Sequence, residues 1–227
     1  MGSRVTLRDA LLRMVVVGVA LSGPCKLIAG EVRITVQGAD GTAVEHAAVV
    51  LRDADEAWES PPGEGEATID QIDRQFVPSA ISIPVNTRVQ FPNKDDIRHH
   101  VYSFSSAKSF ELPLYKGMPA RPIQFPQQGV VTIGCNIHDW MIAHIYVVDA
   151  AIHGLTDAEG SWRQEGVPPG RYHVEVWHHA LETEREKVDE IRVEAGGRVG
   201  LETQLEFATG PAPRRAQPRR PTGPGYQ

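Results

Sequence analysis

The chain has 227 residues, with 29 Asp and Glu against 23 Lys and Arg, and a formal net charge of −6. Residues 1–29 carry +3 and residues 209–227 carry +4, so residues 30–208 carry −13. A body this acidic argues against nucleic acid as a partner, because the phosphate backbone calls for a basic face. It favours solubility and attraction to a basic protein partner.

In chain order, the first expected element is a secretory signal over residues 1–29. Arg4, Arg8 and Arg13 precede an apolar stretch, Met14 to Leu21. That stretch is too short to span a bilayer and suits the h-region of a signal peptide. Cleavage is expected near Ala29 or Gly30, which makes the mature protein periplasmic. An uncleaved anchor is the alternative. Leu21-Ser22-Gly23 before Cys25 looks like a lipobox, but Pro24 stands where a small residue belongs. Without the signal, Cys135 is the one cysteine left, so no internal disulfide forms and the thiol needs another explanation. It is either a small buried apolar side chain or a metal ligand.

Short alternating stretches follow, separated by Gly, Pro, Asn and Asp, and no long amphipathic helix pattern interrupts them. This is an all-β signature. Strands are expected at Val32–Val36, Ala48–Leu51, Ile81–Ile83, Val89–Phe91, Val101–Phe104, Val130–Ile133, His144–Val148, Tyr172–Val176 and Ile191–Val193. A polar linker from Trp58 to Ala67 contains Pro61-Pro62-Gly63-Glu64-Gly65 and marks one boundary. A second boundary is expected from Asp149 to Gly154. The tail, residues 209–227, is Pro, Gly and Arg with little to bury and is expected to be disordered. Membrane contact is expected only through the N-terminal signal or through the paired arginines of this tail.

The chemistry concentrates in Gly134-Cys135-Asn136-Ile137-His138-Asp139-Trp140-Met141. Thiolate, imidazole and thioether within seven residues form part of a blue-copper ligand set. Such a site takes two histidines and a cysteine in a trigonal plane with a weak axial methionine. The second histidine is expected from Arg98-His99-His100-Val101, as either His99 or His100. The metal ligands read from the sequence are Cys135, His138, Met141 and one of His99 and His100, and the expected cofactor is one type 1 copper ion. Zinc is the alternative, held by Cys135, His138 and His99 with His100 or water completing a tetrahedron. The six histidines elsewhere, at 46, 144, 153, 173, 178 and 179, read as surface or satisfied core residues. Met118 reads as a loop or core methionine.

From about Ala67 to Asp149 the chain resembles a cupredoxin. The likeness runs through Phe76-Val77-Pro78, Val89-Gln90-Phe91-Pro92-Asn93, His99-His100-Val101 and Gly129 to Cys135 with its downstream ligands. The Cys-x-x-His-x-x-Met spacing is that of the short-loop amicyanin type. Arg98 to Phe104 and Phe110 to Tyr115 also look like a narrower group, the cupredoxin-like proteins labelled methylamine utilisation proteins of the MauL type. The resemblance implies a Greek-key β-sandwich over residues 66–149. It aligns His99 with the upstream ligand and places His100 where an asparagine usually braces the cysteine loop. It also makes His138 the candidate electron port.

Residues 150–208 resemble the later half of a carboxypeptidase-regulatory-like (transthyretin-like) β-sandwich, through Thr156 to Trp162 and Val167 to Val176. Residues 31–60 resemble its beginning. The expected architecture is thus a smaller sandwich split by an inserted cupredoxin. The expected function is a periplasmic electron carrier and not an enzyme, working with a periplasmic redox partner protein. The alternative is a metal-binding or interaction protein on a cupredoxin scaffold, a copper carrier or maturation factor for a periplasmic oxidoreductase, without redox turnover. A Cys-His hydrolase is disfavoured because no orienting acid or oxyanion pattern accompanies Cys135 and His138.

Overall fold

The computed structural model describes residues 29–55, 65–119, 121–183 and 185–207. The signal segment with Cys25, most of the Pro-Gly linker and the Arg-Pro tail lie outside the described residues. Among those residues the fold is all-β, in seventeen strands. They are β1 (Gly30–Gly38), β2 (Ala48–Asp53), β3 (Glu66–Thr68), β4 (Asp70–Ile72), β5 (Gln75–Val77) and β6 (Ala80–Pro84). There follow β7 (Thr87–Gln90), β8 (His99–Ser105), β9 (Lys108–Tyr115), β10 (Ile123–Phe125), β11 (Gly129–Cys135) and β12 (Ile142–Val148). The last five are β13 (Ile152–Leu155), β14 (Ser161–Val167), β15 (Gly170–Trp177), β16 (Arg185–Val193) and β17 (Arg198–Leu205).

Strand pairing sorts them into two sandwiches. Sheets β14-β1-β17 and β13-β2-β15-β16 enclose one core. Sheets β10-β7-β3 and β6-β12-β11-β8-β9 enclose the other, with the β4-β5 hairpin beside it. The chain leaves the first sandwich after β2, builds the second from β3 to β12, and returns at β13. Both early strands are central to their sheets: β1 lies between β14 and β17, and β2 between β13 and β15.

The residue pattern explains this layering. Along β1, Val32, Ile34 and Val36 alternate inward and are fully buried, while Arg33 faces out. Strand β2 behaves differently, since Ala48-Val49-Val50-Leu51 is buried throughout. Val49 and Leu51 fill the first core, whereas Ala48 and Val50 pack on Ala80, Val130, Tyr146, Val148 and Trp177. Strand β12 is the counterpart, sending Ala143, Ile145 and Val147 into the second core and Tyr146 and Val148 into this seam. A strand covered on both faces loses its alternation and reads as an unbroken apolar run. The sheets therefore stack in layers, and an apolar seam joins the two sandwiches.

The turn from β13 to β14, which carries the chain from one sheet of the sandwich to the other, includes Gly160 at φ +72. A Cβ there would collide with the Val36 carbonyl, which only glycine avoids. Strand β9 has no counterpart among the strands expected from the sequence. It carries Pro113, which a sheet admits here because β9 is an edge strand of its sheet.

Candidate metal centre

The site forms at one end of the five-stranded sheet. β11 runs antiparallel to β8, with Cys135 opposite Val101 and Gly134 opposite Tyr102. This brings the end of β11 beside the start of β8, where His99 sits opposite Tyr115. Successive residues of a strand face opposite ways. His99 accordingly points inward at 0% exposure, and the register shifts between His99 and Val101. His100 lies on the other face, its Nε2 2.9 Å from Glu111 Oε1 and its ring beside Tyr102. His100 therefore makes these contacts instead of bracing the cysteine loop, and it is not placed to complete a zinc tetrahedron.

Residues 135–141 form a pinched loop. The Cys135 amide donates to the Met141 carbonyl at 3.2 Å, and the Met141 amide donates to the His138 carbonyl at 3.0 Å. Closing the loop this way returns His138 over Cys135. The Cys135 Sγ lies 3.8 Å from His99 Nδ1 and 3.9 Å from His138 Nδ1. Among the described residues, His99, Cys135 and His138 are the group whose donor atoms converge enough to hold a metal ion. Met141 is 1% exposed and packs in the same core cluster as Cys135.

The spacing tests whether a metal fits. With bonds of about 2.3 Å to sulfur and about 2.0–2.1 Å to nitrogen, a trigonal S–metal–N pair spans about 3.7–3.8 Å, and a tetrahedral one about 3.5 Å. The observed separations, 3.8 and 3.9 Å, are close enough for one ion to reach Cys135 and both histidines. The donor set, two imidazoles and one thiolate with a buried thioether nearby, is that of a copper site.

Electrostatics favour the neutral form of His138. Burial, then the His99 ring and the Arg74 guanidinium, lower the His138 pKa below the ordinary imidazole range. His138 is thus neutral at pH 7, as a ligand must be. Asp95 Oδ2 lies 2.7 Å from His99 Nε2. Burial raises the Asp95 pKa, but hydrogen bonds from His99 and from the Arg74 and Asp73 amides outweigh it and hold it below the usual carboxylate range. Asp95 escaped the sequence reading because an acidic residue in Asn93-Lys94-Asp95-Asp96 looks like a solvated turn. Its one signal was the position four residues before His99.

The rim of the site is apolar and exposed. Ile137 and Trp140 flank His138, and the Trp140 ring lies 5.1 Å from the His138 ring. Met118 is exposed on the surface. The other six histidines have structural partners, among them Ser82 for His153 and Thr132 for His144.

No family model matches the chain, and no curated protein matches it. Among solved structures, a purple cupredoxin from Nitrosopumilus maritimus is 23% identical over 36% of this chain and 99% of its own, with a TM-score of 0.33. A tryptophan-to-tyrosine mutant of amicyanin, in its reduced form, is 18% identical over 44% of this chain and 98% of its own, with a TM-score of 0.34. The copper-containing nitrite reductase of Thermus scotoductus SA-01 is 24% identical over 43% of this chain, which spans 27% of that enzyme, with a TM-score of 0.35. Each likeness involves less than half of this chain.

Proposed function

We propose that the protein is a periplasmic one-electron carrier with a type 1 copper site. In this reading Cys135 is the thiolate ligand, His99 and His138 are the equatorial nitrogens, and Met141 is the weak axial donor. The observation that carries it is the convergence of the two Nδ1 atoms on Cys135 Sγ, at 3.8 and 3.9 Å, with the Met141 thioether buried in the same core cluster. Copper held there would supply a one-electron couple.

The chain's own contribution is to hold the donors still. His99 and Cys135 end paired strands, and the two hydrogen bonds across the loop fix His138. Donors held on rigid elements need little rearrangement between oxidation states, which favours fast exchange. Core side chains including Met141 keep water from Cys135. His138 lies within the exposed apolar rim of Ile137 and Trp140, which makes it the point where a partner protein would exchange electrons. The partner is a periplasmic redox protein, and the acidic body favours a basic docking face.

The axial role has its own test. Met141→Leu should keep one copper per chain and raise the reduction potential, since it removes only a weak donor. Potentiometric titration of the loaded variant reads this. A variant that loses copper as completely as Cys135→Ala does would contradict the axial assignment.

A further inference from the structure

We propose that Asp95 is a positioning residue that sets the His99 ring for the metal, anchored by the turn between β4 and β5. This rests on the metal-site reading above. His99 Nε2 meets Asp95 Oδ2 at 2.7 Å, so Nε2–H donates and Nδ1 is left to face Cys135. A carboxylate on the far nitrogen fixes both tautomer and ring orientation, and makes the near nitrogen a stronger donor.

The carboxylate is itself held from several sides. Its Oδ1 accepts the Asp73 amide at 2.7 Å, and its Oδ2 accepts the Arg74 amide at 2.9 Å. Asp73 and Arg74 have φ of 51 and 57, a left-handed pair without glycine. Such conformations persist where the surroundings demand them, and they cluster at functional sites. Here the turn aims two successive N–H groups at one anion, as a backbone nest does. The Asp95 amide donates to Asn93 Oδ1 at 3.0 Å, and Asn93 Nδ2 donates to the Ile97 and Tyr115 carbonyls.

The same turn reaches the other half of the site. The Trp140 indole N–H donates to the Arg74 carbonyl at 3.2 Å, and Trp140 stands two residues after His138. The β4-β5 turn thereby sets the upstream histidine through Asp95 and steadies the ligand loop through Trp140. A purely structural ion pair would need neither the aimed amides nor the link to the loop.

The test uses Asp95→Asn in the full chain, with Asp96→Asn at a fully exposed neighbour as control. Nitrogen-15 NMR of the metal-free protein reads the His99 tautomer, and Co(II) titration reads affinity. In the wild type and the control, His99 carries its proton on Nε2. In Asp95→Asn that preference should disappear, and Co(II) should bind about 10- to 100-fold more weakly. Asp95→Glu, which keeps the carboxylate, should restore the tautomer in part and covers the case in which Asp95→Asn fails to fold. An unchanged tautomer in Asp95→Asn, or a wild-type His99 protonated on Nδ1, would overturn the proposal. Because the tautomer is read without metal, an Nε2–H tautomer lost in Asp95→Asn in a protein that gives no type 1 copper spectrum would overturn the copper reading and leave this one standing.

Discussion

Cys135→Ala is expected to abolish the intense thiolate absorption of the copper-loaded protein while leaving the fold in place. Sγ is the atom on which both imidazoles converge, at 3.8 and 3.9 Å, so its removal takes away the strongest donor and the origin of the colour. The side chain is 1% exposed, and trimming it leaves a small cavity costing about 1 kcal/mol. Two all-β cores joined by an apolar seam tolerate a loss of that size. Optical spectra after adding Cu(II), together with urea unfolding of the metal-free proteins, separate the two effects. A variant that unfolds normally but keeps the blue band would remove Cys135 from the site.

Acid is expected to weaken the fold through His178, well above the pH at which carboxylates titrate. His178 is 8% exposed, and its Nδ1 accepts the Ala180 amide at 3.2 Å. Burial, then the nearby His179 and His46, push its pKa down to about 4 from 6.5. The unfolded chain thus takes up a proton near pH 6.5 that the folded chain refuses until about pH 4. Stability from this group is whole above about pH 6.5 and is lost as pH falls toward 4, by up to about 3 kcal/mol. The carboxylates with lowered values, Glu31, Asp40, Asp55 and Asp95, lose their contributions lower still.

The neighbours of His178 make this a property of the joint between the sandwiches. Its ring lies 4.3 Å from that of His179, which stacks at 3.7 Å on His144 of β12. His153 of β13 meets Ser82 of β6 at 2.8 Å, and burial lowers its pKa too. Parallel stacked rings send their lone pairs side by side and not to one point, so the His144–His179 pair suits packing better than metal binding. Urea unfolding of the metal-free protein at pH 7.5 and 4.5 measures the effect. His178→Gln should lose clearly less stability over that interval than the wild type. Equal losses would show that other groups carry the pH dependence.

Much of this was legible in the chain, for identifiable reasons. Alternation exposed β1 and β15 because each has a core face and a second, more polar face. The convergence of His138 with Cys135 followed from their spacing in a short loop. The choice between His99 and His100 depended on which of them shares a sheet face with Cys135, and the register of β11 on β8 decides that. The unbroken apolar run of β2 fits burial on both faces without naming what covers it, because Val50 meets Tyr146 only across about a hundred residues of chain. Asp95 and the left-handed Asp73-Arg74 turn were hidden for a different reason. Their roles consist of hydrogen bonds between segments about twenty residues apart, and no local pattern encodes those.

The central claim is that His99, Cys135, His138 and Met141 hold copper in a type 1 geometry. The most direct measurement is the optical and EPR spectrum of the wild-type protein after adding one equivalent of Cu(II). The account predicts an intense blue thiolate-to-copper band and narrow copper hyperfine splitting. A colourless protein, or an ordinary tetragonal copper signal, would contradict it.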